Sequence, residues 1–78
     1  MALTELQKTI LWVEGRLDEL TQEGMIEGGK TILAEKGKQE YQALKTEGWQ
    51  PDPDDLIDVC EHAGLPPMVA ILIAARDG

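Results

Sequence analysis

The chain has 78 residues, 15 acidic against seven basic, for a net charge of −8, with 42% apolar residues and a mean hydropathy of −0.25. This length excludes more than one domain and allows only a marginal core, because a chain this short buries roughly 60% of the surface it exposes when unfolded. The charge excludes a surface built for nucleic-acid phosphates or anionic lipids, both of which require clustered Lys and Arg, and favours a basic protein as a charged partner.

Leu3, Leu6, Ile10, Val13, Leu17 and Leu20 recur at intervals of 3, 4, 3, 4 and 3. This heptad seam predicts a long helix over residues 2–23 and offers a self-association surface of coiled-coil type. Thr4 is placed to cap its start, and Gly24 to end it in a left-handed residue with Met25 as the apolar contact that follows. Two residues do not suit a plain coiled coil. Trp12 lies nearly opposite the seam with Leu11 beside it, so the middle of the helix is apolar on more than one side. Trp12 is then either core or the anchor of a partner surface. Gly15 falls on the outer face, where it costs about 1 kcal/mol relative to Ala, and nothing local explains it.

Ile26, Gly29, Leu33, Gly37, Tyr41 and Leu44 predict a second helix from residue 27 or 29 to 47, antiparallel to the first across a short connection. Gly48 stops it, with Trp49 as its apolar staple. Residues 24–31, GMIEGGKT, match the phosphate-binding pattern G-x-x-x-x-G-K-T. That loop needs a buried strand to lead into it, and here a heptad helix precedes it. Glu27 would also place a carboxylate among the phosphates, so the reading is an interhelical turn with an exposed Lys30.

QPDP ends the hairpin. Asp52, Pro53 and Asp55 predict a cap, a first helical residue and an acid in the positive first turn. The third helix, over residues 53–63, presents Asp54, Asp55, Asp58, Glu61 and His62 on one arc and Leu56, Val59, Cys60 and Ala63 on the other; Gly64 stops it. PPMVAILIAARDG is apolar all round and predicts a buried fourth helix, with a buried strand as the alternative. The fold class expected is all-α: a long N-terminal heptad helix, an antiparallel second helix, a short acidic third helix and an apolar C-terminal helix. Residues 1–48 form the hairpin and residues 49–78 the loop and two short helices of a single helical domain.

Several residues are capable of chemistry, and each has a plainer role. Asp58 and His62 lie one helical turn apart and could share a metal ion, but they are only two ligands; an exposed acidic face is the simpler reading. Cys60 points the other way, as a small core residue with no base beside it. No metal, cofactor or catalytic set is expected. LIDVCEHAGLPPMVAILIAA resembles a helix-turn-helix in layout. Its second helix carries no Arg, Lys, Asn or Gln to reach base edges, and the helix before it is acidic, so direct nucleic-acid binding is not expected. The N-terminus lacks a signal-peptide layout, the longest apolar run is far short of the roughly 20 residues that span a bilayer, and the single cysteine excludes an internal disulfide. A cytoplasmic protein without membrane contact is expected.

The leading functional expectation is a non-enzymatic interaction protein that forms a homodimer through Leu3, Leu6, Ile10, Val13, Leu17 and Leu20 or through the apolar C-terminal segment. The alternatives are an acidic adaptor or inhibitor on a basic protein and a helix-turn-helix-like DNA-associated regulator. For the acidic adaptor, Trp12, Asp54, Asp55, Asp58 and Glu61 are the candidate partner surface.

Overall fold

The computed structural model describes residues 3–26 and 35–77, and among these there are four helices and no strand. They are α1 (Glu5–Gln22), α2 (Glu35–Glu47), α3 (Pro53–His62) and α4 (Pro67–Asp77). The starts follow from local chemistry. The Gln7 amide donates to Thr4 Oγ1 at 3.1 Å while the Thr4 amide donates to Gln7 Oε1 at 2.9 Å, a reciprocal capping box. Thr4 itself is extended, so α1 begins at Glu5 and not at residue 2. Asp52 accepts the Asp54 amide at 2.9 Å, and Pro53 follows at the first helical position, where its missing N–H is not needed.

The first three helices end alike. Gly24, Gly48 and Gly64 have φ of +75°, +75° and +72°, and the amides after them, of Met25, Trp49 and Leu65, donate to the carbonyls of Leu20, Leu44 and Cys60 at 3.0, 3.1 and 3.0 Å. The left-handed residue turns the chain back so that this bond can close, a conformation in which a Cβ is strained. The expected start of the second helix, residue 27 or 29, and most of the GMIEGGKT stretch with Lys30 lie outside the described residues. Of that stretch, Gly24 is the residue that closes α1, so a helix and not a strand leads into it.

α1 is the central element, with a separate core on each side. Val13, Leu17 and Leu20 pack with Leu56, Val59 and Cys60 of α3 and Ile73 of α4. On its other side Leu11 and Trp12 pack with Tyr41 and Leu44 of α2, joined by the half-buried Leu3 and Trp49. This arrangement accounts for the second apolar side of α1, and it brings Trp12 under α2 and Trp49, not under α3 or α4.

The last segment is helix, not strand, but it is not buried all round. Ile73 is fully buried, and Val69, Ala70 and Leu72 lie half-buried against the α1–α3–α4 core. Pro67, Met68, Ile71, Ala74 and Ala75 face outward. Among the described residues only α1 and α3 pack against α4, and two neighbouring helices cover one side of it. An ion pair fastens its end, with the Arg76 guanidinium 2.6 Å from a Glu23 carboxylate oxygen just past α1.

Candidate interaction surfaces

Trp12 is 3% exposed and sits at the centre of an aromatic cluster. Its ring meets those of Tyr41 and Trp49 edge-on, with centroids 5.4 and 5.5 Å away, a favoured geometry for aromatic pairs. The Arg16 guanidinium lies 4.6 Å over the Trp12 ring and the Lys45 ammonium 5.2 Å from that of Tyr41. Both cations also reach Glu19, at 3.1 and 3.2 Å, and the Tyr41 hydroxyl donates to the same carboxylate. Burial works against ionisation of Glu19, but the Tyr41 hydroxyl, the Lys45 ammonium and the Arg16 guanidinium together hold its carboxyl below the usual carboxylate range. This cluster joins α2 to α1. The shallow pocket beside it, lined by Trp12, Arg16, Lys45 and Trp49, therefore has its two cations already bound to a carboxylate.

Gly15 is buried in the same place. A Cβ built on it would lie 2.5 Å from the Tyr41 ring carbons, so the absent side chain is what lets the ring lie flat against α1.

The heptad seam divides in two. Val13, Leu17 and Leu20 are consumed by the core, whereas Leu6 and Ile10 are 59% and 41% exposed. These two form one wall of a groove of about 490 Å³ whose other wall is Val59, Ala63, Asp58 and His62 of the α3 side. On the α2 side of Ile10 a second, shallower groove lies next to the first, lined by Leu3, Gln7, Leu11, Glu14 and Glu40. Ile10 belongs to both, so the two form one apolar strip along the N-terminal half of α1.

Asp54, Asp55, Asp58 and Glu61 are all exposed, and of the four only Asp58 lines the groove beside α1. His62 does not face the Asp58 carboxylate as a second metal ligand: its Nδ1 is hydrogen-bonded to the Asp58 backbone oxygen at 2.9 Å. Among the described residues no group of three or more His, Cys, Asp or Glu is placed to hold a metal ion. Cys60 is in the core, where burial pushes its thiol up from the ordinary value; a thiol in that state is a poor nucleophile at neutral pH. Among the described residues no helix is long and apolar enough to cross a membrane.

A second exposed apolar surface is the outward face of α4. Met68 is 71% and Ile71 67% exposed, one turn apart, with Pro67, Ala74 and Ala75 completing a face without a charge or a hydrogen-bonding side chain. Exposed Ile57 of α3 adjoins it across a pocket of about 230 Å³ that also involves Leu65, Ala70 and one carboxylate, Glu61. Met68 and Ile71 were not separable from core residues by sequence, because an all-apolar helix gives no periodicity to mark its outer side; Ile57 falls outside the apolar arc Leu56, Val59, Cys60 and Ala63 of α3. Glu14 and Glu40 were equally hidden, since they meet only through the packing of α2 on α1. No protein-family model, curated protein or solved structure matches this chain.

Proposed function

We propose that this protein is a non-enzymatic interaction module that self-associates as a dimer through the outward face of α4. The observation that carries the reading is the composition of that face: five exposed residues from Pro67 to Ala75, none of them polar. Single exposed apolar side chains are ordinary on a protein surface, but a contiguous apolar face marks a contact site. Full burial of a Met or Ile side chain contributes about 1.5–3 kcal/mol, and twofold symmetry counts each residue twice. The outward face of α4 itself carries no charge, and Glu61 of α3 is the one carboxylate in the pocket beside it, so two chains of −8 meet there with less repulsion than across the acidic arc of α3. The titratable groups are consistent with a non-enzymatic role. Glu19 is occupied by three partners, and Cys60 is enclosed with its thiol pushed up. A reducing, cytoplasmic setting is part of the proposal, resting on the single, buried cysteine.

The test is the sedimentation mass of an Ile71→Asp variant. A charge in the centre of the face is expected to convert the dimer to a monomer while leaving helix content unchanged, because Ile71 is mostly exposed in the single chain. A variant that sediments as the wild type does would remove the α4 face from the proposal.

A further inference from the structure

We propose that the strip formed by Leu3, Leu6, Ile10, Leu11, Val59 and Ala63 receives a cationic amphipathic helix from a partner protein. This surface is separate from the α4 face and does not depend on it. The floor is apolar, with Leu6 and Ile10 one turn apart along α1 and Leu3 just before its start, a spacing that suits the apolar side of a helix. The rim selects the occupant. Three carboxylates line the two continuous grooves, Asp58 on the α3 side and Glu14 and Glu40 on the α1–α2 side. Among the described lining residues there is no Lys or Arg. A helix seated on the floor would therefore pass between carboxylates on both sides, and Lys or Arg flanking its apolar face would meet them.

A second copy of this chain is the less suitable occupant. It would bring Glu14, Glu40 and Asp58 against the same three groups, and like charges placed across an interface are penalised. A membrane surface is disfavoured for the same reason, since anionic headgroups would face the carboxylate rim.

The probe is a fluorescently labelled synthetic helix with leucines on one face and lysines on the other, titrated by anisotropy against the full chain. Saturable binding is expected, weakening about tenfold or more in a Leu6→Ser/Ile10→Ser variant, in line with the loss of two buried apolar side chains. Binding should fall steeply with salt, and Glu14→Gln/Glu40→Gln/Asp58→Asn should flatten that dependence. The same peptide with glutamates in place of lysines should not bind. Leu6 and Ile10 are exposed, so their replacement leaves both cores intact, and circular dichroism verifies this; the amide variants preserve the apolar floor in any case. The proposal is overturned if the lysine peptide does not bind. It is equally overturned if binding is lost in Ile71→Asp but kept in Leu6→Ser/Ile10→Ser, which would put the peptide on α4. Self-association abolished by Leu6→Ser/Ile10→Ser would assign the strip to a second copy and sink the proposal as well.

Discussion

Gly15 shows how one residue's reason can lie far along the chain. As a helix-interior glycine it is unfavourable by about 1 kcal/mol, yet the Tyr41 ring occupies the space of its side chain. The close atoms include the ring carbon nearest the Tyr41 backbone, which cannot swing aside while the hydroxyl is bound to Glu19. Gly15→Ala is therefore expected to destabilise the fold by a net ~1–2 kcal/mol, overpacking outweighing the gain in helix propensity. In a Tyr41→Ala background the same change should become favourable, and denaturant unfolding of the double-mutant cycle checks the reversal. Glu19 gives a pH dependence at the same place. Its carboxyl is held below the ordinary value of 4.5, so its contribution is fully present above that pH and is lost as pH falls through the lowered pKa. Glu19→Gln should remove about 1 kcal/mol at neutral pH, at the low end for charged hydrogen bonds because Lys45 remains a third exposed. The variant should also lose less stability than the wild type on acidification below about pH 4.5; identical acid-unfolding slopes would contradict this.

At the scale of the helix, the boundaries were legible because caps act over three or four residues. Thr4 with Gln7, Asp52 with Pro53, and the glycines at 24, 48 and 64 each carry their own signal, and the helix ends fall there. Asp52→Ala should accordingly cost about 1 kcal/mol, measured as a lower thermal midpoint, with Asp52→Ser restoring most of it. Which face of a helix is covered was not legible in the same way. The interval pattern of Leu3 to Leu20 suits both a coiled-coil seam and the middle helix of a small bundle. Only the position of α3 and α4 separates buried Val13, Leu17 and Leu20 from exposed Leu6 and Ile10. The fourth helix is the converse case: its uniform apolarity predicted burial, but among the described residues it has only two helices to pack against.

For the whole molecule, the decisive feature is that α1 is shared by two cores. One side takes the aromatic cluster with α2, the other the aliphatic cluster with α3 and α4, and each is too small to enclose all its apolar residues. What remains outside is unequal in charge: an α4 face with no ionised group and an α1–α3 strip edged by three carboxylates. That difference is the ground for proposing different contacts, another copy of the chain for the first and a basic helix for the second. Self-association is the central claim, and the solution mass of the wild-type protein tests it most directly, by size-exclusion chromatography with light scattering over a hundredfold dilution. The expected result is twice the 8.6 kDa chain mass at the upper concentrations, falling to the single-chain mass for Ile71→Asp throughout. A wild-type chain that stays at 8.6 kDa across the whole series would contradict it.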